Sequence, residues 1–213
     1  MLTLSIDTAS DICAAALWQG GEDGELRAQH QQKMARGQGE ALFGIVSTVL
    51  DRASVKPGDI SRFAAIRGPG TFTGLRVGLA VVRGLALALD ADAIGITAFE
   101  LVAASDIEDH PGEGPRIIAI DARRNELYVS VLGGDLECVE PPLLLTPENA
   151  ALLIKRGRSM VIGSGAQALV SAARQAGHDA QTRPSAWPSA GLLAQLAAGR
   201  DPIHCPPEPL YIR

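Results

Sequence analysis

The sequence predicts an α/β fold of two related halves, and three observations predict it. Residues 2–31 hold three short strand-like runs joined by turns, the pattern of an antiparallel meander. Helical and strand-like periods then alternate, as in crossovers that need helices to cover a sheet. Two signatures recur in the same order: Ser5-Ile6-Asp7-Thr8 returns as Ala119-Ile120-Asp121-Ala122, and Gly68-x-Gly70 returns as Gly163-x-Gly165.

The elements follow from local chemistry. Leu2–Asp7 reads as a buried strand, Thr8–Asp11 as a turn, and Ile12–Trp18 as a second strand closed by the glycine cluster at 20–24. Glu25–Gln31 is a more polar third strand, nearer an edge. In Gln38–Ala53 the period changes, and Ala41, Leu42, Ile45, Val46, Val49 and Ala53 fall on one helical face. Arg62–Arg67 is a strand stopped by Gly68-Pro69-Gly70. Thr73 is the expected N-cap of a helix from Gly74 to Asp90. Ala93–Thr97 is a strand and Ala98–Ser105 a short helix.

His110–Pro115 is the expected linker, dividing a first lobe, 1–109, from a smaller second lobe, 110–213, whose last helix can pack back on the first. In the second lobe, Arg116–Asp121 and Glu126–Leu132 read as strands around a turn, and Glu137–Leu145 as an extended run broken by Pro141-Pro142. Thr146-Pro147 opens a helix with a capping residue and a proline at its first position. Ser159–Ile162 is a strand, followed by a helix to Ala176, a last helix over Leu192–Ala198, and a possible edge strand at Leu210–Ile212.

Composition narrows the function. The chain has 213 residues, 46% of them hydrophobic, which supplies a real core and excludes disorder. The net charge of −5 gives no general attraction to phosphate backbones and leaves room only for a local basic patch, for example near Arg123 and Arg124. The cysteines, Cys13, Cys138 and Cys205, are odd in number and far apart, which argues against a disulfide framework or a structural zinc. No two of His30, His110, His178 and His204 stand at metal-ligand spacing, and no Gly-x-Ser-x-Gly elbow is present. Cys13 reads as a small buried residue. The N-terminus has no signal-peptide core, and Leu75–Leu89 carries Arg76 and Arg83, so a cytoplasmic chain without a membrane span is expected.

A meander leading into such crossovers, twice over, is the order of a duplicated ribonuclease-H-like fold, as in the actin/Hsp70/sugar-kinase superfamily. There ATP lies between the halves, and by that analogy Asp7 and Asp121 face a shared cleft. The residues speak against it: neither Thr8-Ala9-Ser10 nor Ala122-Arg123-Arg124 holds a glycine that would let backbone N–H groups approach a phosphate. Asp7, Thr8, Asp121 and Arg123 then mark vestigial phosphate-loop positions.

The string Gly68-Pro69-Gly70-Thr71-Phe72-Thr73-Gly74-Leu75-Arg76 is neither a Walker A loop nor a dinucleotide fingerprint. It is either an anion site at a helix N-terminus or, preferred, a tight turn that lets strand and helix pack closely. The helix after it is apolar nearly all round, with Gly74, Gly78, Ala80, Gly84 and Ala88 leaving room for another backbone, and Gln38–Ala53 also has apolar surface to spare. Each is a covered core helix or part of an oligomer interface.

Leu4-Ser5-Ile6-Asp7-Thr8-Ala9, Gly68 through Gly78, Ile120-Asp121-Ala122-Arg123-Arg124-Asn125-Glu126-Leu127-Tyr128 and the ending Glu208-Pro209-Leu210-Tyr211-Ile212-Arg213 resemble the bacterial TsaB family, also called YeaZ. The resemblance implies a non-catalytic subunit, a pseudo-enzyme, in the synthesis of threonylcarbamoyladenosine at position 37 of tRNAs that read codons starting with A. It implies a catalytic paralogue, TsaD, which carries the metal-binding histidines, and a small ATPase, TsaE. The chain then activates TsaD through a helical interface and forms a homodimer through the same surface when alone. It has no cofactor of its own, ATP and metal belong to partner subunits, and tRNA is met only through the complex.

On this reading the interface takes Leu42, Ile45, Val46, Val49, Gly74, Val77, Gly78, Val81, Gly84 and Leu85, and the Gly68–Arg76 loop positions the interface helix. Two departures stand out. The family's histidine near the start of the first helix is missing from Ala35–Glu40, and 134–190 matches poorly, so an incomplete second sheet is expected. The alternative is a free-standing ATP-dependent or peptidase-like enzyme that uses Asp7 and Asp121.

Overall fold

Alternation along the first strands decides which side chains meet which helices. The computed structural model describes residues 1–34, 36–154, 159–184 and 186–212. β1 (Leu2–Asp7), β2 (Ile12–Gln19) and β3 (Glu25–Lys33) form the antiparallel meander, with Leu4 opposite Leu17 and Ile6 opposite Ala15. α1 (Gln38–Ala53) leads to a 3-10 turn at Pro57–Asp59 and then to β4 (Arg62–Gly68), parallel to β1. α2 (Phe72–Leu89) leads to β5 (Asp92–Thr97), parallel to β4. The sheet order is β3-β2-β1-β4-β5.

Leu4, Ile6, Cys13, Ala15, Leu17, Phe63 and Ala65 share a core with Leu42, Ile45, Val46 and Val49 of α1 and Leu79 and Val82 of α2. Each fully buried Leu, Ile, Val or Phe side chain among them contributes about 1.5–3 kcal/mol. By length and composition α2 is apolar enough to cross a membrane. Its Leu75, Leu79, Val82 and Ala86 are nevertheless buried within the protein.

α3 (Ala98–Asp109) is followed by β6 (Arg116–Arg123), β7 (Glu126–Leu132), β8 (Cys138–Leu145), α4 (Pro147–Ala151), β9 (Ser159–Ile162), α5 (Ala166–Gln175) and β10 (Ala180–Thr182). Their sheet order is β10-β9-β6-β7-β8, the first sheet's order repeated strand for strand. The expectation of an incomplete second sheet is therefore corrected. Its fifth strand is three residues long, too short to show a period of two. What is reduced is the helical cover: α4 and α5 have 5 and 10 residues where α1 and α2 have 16 and 18.

α6 (Ala190–Ala198) covers the other face of the first sheet, where Ala14 and Ala16 meet Ala190, and Trp18 meets Ala194 and Ala198. Alanines on both surfaces let helix and sheet approach closely. The chain divides by packing into Met1–Ala98 with Ser189–Leu210, and Phe99–Pro188 with Tyr211–Arg213.

Several elements differ from expectation. α2 begins at Phe72, with Thr71 rather than Thr73 as N-cap. α3 runs on to Asp109 and α6 starts at Ala190. Leu210–Ile212 is not a strand; Leu210 N–H instead donates a single bond to the Arg67 carbonyl at 2.7 Å.

Candidate functional site

In the first unit the β1–β2 turn and the Gly68–Arg76 loop occupy the same space. Asp7 is buried, and its Oδ1 accepts a hydrogen bond from Ala9 N–H at 2.9 Å. Thr71 N–H donates to the Ala9 carbonyl at 2.8 Å, and Thr8 Oγ1 donates to the Gly74 carbonyl at 2.7 Å. A Cβ on Gly70 would lie 2.7 Å from the Ala9 carbonyl oxygen, and one on Gly78 would lie 2.7 Å from Thr8 Oγ1. At Gly74 it would overlap the Thr8 carbonyl oxygen outright. The three glycines thus bring α2 onto the turn, against the Thr8 and Ala9 carbonyls and the Thr8 hydroxyl. Gly68 has φ 132° and precedes a cis Pro69, and a Cβ there would lie 2.8 Å from the Leu210 carbonyl oxygen. Phe72 is exposed, with the Arg76 guanidinium 3.7 Å above its ring.

The second unit repeats the turn with different consequences. Asp121 Oδ1 accepts from Arg123 N–H at 2.8 Å, the counterpart of the Asp7–Ala9 bond. Ser164 Oγ accepts from Asp121 N–H at 3.0 Å, and Gly165 N–H donates to the Ala119 carbonyl at 2.9 Å. Asp121, Arg123, Arg124 and Asn125 are all exposed. Arg123, Arg124 and Asn125 have φ of 65°, 54° and 62°, three successive left-handed residues without a glycine.

The expected interface residues fall into two groups. Leu42, Ile45, Val46 and Val49 are buried in the first unit's core, as are Gly74 and Gly78. Val77, Val81 and Leu85 are half-buried, and Gly84 is exposed. Sequence periodicity selected the stripe that packs inward. The solvent side of the two helices carries Phe43 at 60% exposure, Phe72 at 58% and Leu87 at 88%. Exposed Gly39, Gly44, Ala80, Gly84 and Ala88 accompany them. Gly39 lies beside Val77, a Cβ there standing 4.0 Å from Val77 Cγ2, so the two helices are neighbours. Gly44 and Gly84 face open space. A depression of about 500 Å³ lined by Gly84, Leu87, Ala93 and Pro207 continues this surface. Phe43 stood out in the sequence as apolar surface off the main stripe of its helix, whereas Leu87 was not singled out.

Two buried arginines were not foreseen either. Arg62 donates to the carbonyls of Ala197 at 2.7 Å, Ala198 at 3.1 Å and Arg200 at 2.8 Å, and to Asp92 at 2.9 Å, closing the C-terminal end of α6. Arg116 does the same for α3, reaching Asp106 at 2.8 Å and the His110 carbonyl at 2.6 Å. Arg183 also pairs with Asp106 at 2.7 Å and with Glu113, whose carboxyl it holds below the usual range through their hydrogen bond. Cys13 is fully buried. Burial first, then the Asp7 carboxylate, push its thiol up to about 11, so it stays a neutral core group.

A family model described as TsaD, tRNA N6-adenosine threonylcarbamoyltransferase, matches residues 30–183. The tRNA threonylcarbamoyladenosine biosynthesis protein TsaB of Escherichia coli K12 is 29% identical over 224 residues, covering 100% of this chain and 95% of that protein. The solved YeaZ of Pseudomonas aeruginosa has a TM-score of 0.80 at 26% identity, covering 99% of each chain. A ROK hexokinase of Thermus thermophilus has a TM-score of 0.52 at 14% identity over 92% of this chain and 97% of that one, a likeness of fold alone. The fold is thus the duplicated ribonuclease-H-like one of the actin/Hsp70/sugar-kinase superfamily. The chain belongs to the TsaB (YeaZ) family, within the wider threonylcarbamoyltransferase family, and takes part in tRNA threonylcarbamoyladenosine synthesis.

Proposed function

We propose that this chain is a non-catalytic subunit that docks and activates a TsaD-like catalytic paralogue through the solvent side of α1 and α2. The same surface joins two copies when the chain is alone. A TsaE-like ATPase completes the complex. ATP and metal are held by the partner subunits, tRNA is the substrate of the whole, and the setting is the cytoplasm.

The observation that carries this is Leu87, Phe43 and Phe72 standing exposed on two adjacent helices. Large apolar side chains left to solvent along two neighbouring helices support an interaction surface there. Exposed Gly44 and Gly84 let another helix approach. The filled turn at Thr8 and Gly74 supports a supporting rather than a phosphate-handling role.

Light scattering after size exclusion tests it, on the chain alone and mixed with the threonylcarbamoyltransferase of the same organism. A homodimer that converts to a stoichiometric heterodimer is expected. Leu87→Asp should weaken both assemblies at least about tenfold, the scale of a buried interface anchor. Assemblies unchanged by Leu87→Asp would move the interface elsewhere. Tight MgATP binding by the isolated chain, lost in Asp7→Ala, would replace this reading with the free-standing enzyme.

A further inference from the structure

We propose that the β6–β7 turn, through Arg123 and Arg124, contacts the phosphate backbone of the tRNA on which the family's pathway acts. The inference adds a direct RNA contact to the docking role above and rests on that role only for its setting.

The second unit has five described arginines. Arg116 and Arg183 are spent on Asp106, and Arg174 donates to the Ala180 carbonyl at 3.0 Å. Arg123 and Arg124 are the remaining two. Both are exposed, and among the described residues neither guanidinium has an ion-pair or hydrogen-bond partner. Two carboxylates are near in the chain. Asp121 turns an oxygen back onto Arg123 N–H, and Glu126 stands opposite Arg123 in the ladder without pairing with it.

The backbone makes this arrangement unfavourable. Left-handed φ at three successive residues with side chains works against the chain, and glycine or Asn-Gly is the ordinary solution for such a turn. Two long cations therefore stand where the fold alone would take glycine, which points to a use outside the fold. The RNA backbone is the partner that arginine forks fit, since guanidinium matches phosphate bidentately. In a chain of net charge −5 such a contact is local, so it adjusts how RNA sits and leaves most of the affinity to the partner.

The test is fluorescence anisotropy of a labelled anticodon stem–loop, titrated with the chain alone and with its mixture with the threonylcarbamoyltransferase, over a salt series. R123G/R124G removes both charges and relieves the turn, so its melting temperature should hold or rise. RNA affinity should fall about 3- to 10-fold, and the slope of log affinity against log salt should drop by about 1–2, one phosphate per arginine. R123K/R124K should keep most of that slope. Association with the partner, measured without RNA, should not change.

Affinity and slope unchanged in R123G/R124G would overturn the proposal. So would a variant that loses binding of a nucleoside triphosphate while RNA binding is untouched, since the phosphate would then be a nucleotide's. If the wild-type chain fails to join the partner, the docking role falls, and the titration of the chain alone still decides the RNA contact.

Discussion

Thr8 and Gly74 share one space: Thr8 Oγ1 donates to the Gly74 carbonyl at 2.7 Å, while the Thr8 carbonyl lies where any Cβ at 74 would stand. The obstacle is backbone, which cannot swing aside as a side chain can. Gly74→Ala is expected to lose about 2–3 kcal/mol of unfolding free energy, the scale of forced overpacking. Gly84→Ala meets nothing within 4 Å and sits exposed in the same helix, so it should gain up to about 1 kcal/mol from helix propensity. Urea denaturation of the two variants should show opposite signs.

Leu87 separates association from folding. Val81→Asp would place a charge on a half-buried residue packed against the core, and so disturb both at once. Leu87→Asp, at an almost fully exposed position, should leave the melting temperature within a degree or two while weakening assembly, the pattern of a surface site. Calorimetry and light scattering on one preparation would show whether the effects separate.

Arg62 ties α6 to the first sheet. Arg62→Met should cost about 3 kcal/mol, because three carbonyls at the end of α6 lose a charged donor. Hydrogen exchange should quicken first in Ala190–Ala198. Asp92→Asn should cost less, since Asp92 is exposed and the three carbonyl bonds remain.

Cys13 makes stability depend on alkaline pH. Its folded pKa is raised to about 11, so the neutral thiol's contribution is complete below the ordinary thiol range and is lost as pH rises through 11. Relative to Cys13→Ala, the natural chain should lose about 2 kcal/mol between about pH 8.5 and 11. Parallel denaturation curves across that range would show no such divergence if the thiol were solvated.

Legibility followed the range of the interactions. The meander, both long helices and the repeated Asp turns were readable because hydrophobic period and turn chemistry act over a few residues. β10 escaped because Ala180–Thr182 is held as a strand by its neighbour β9, not by its own composition. The start of α2 was misplaced by two residues because the Thr71 backbone is fixed by Ala9, 62 positions away in the chain.

The candidate surface shows the same division. Apolar spacing located the two helices but named Leu42, Ile45, Val46 and Val49, which the sheet takes for its core. A helix that is apolar all round does not say which side its sheet will bury.

The sequence by itself determined the element order up to α5, the duplication and the family, since these rest on local pattern and on strings of residues that stay recognisable without coordinates. Tertiary structure alone decided that Gly74 faces the Thr8 carbonyl, that Arg62 holds the end of α6 and that Leu87 is left to solvent. Each of these depends on groups far apart in the chain meeting in one place, and hydrophobic periodicity carries no record of which distant partner arrives.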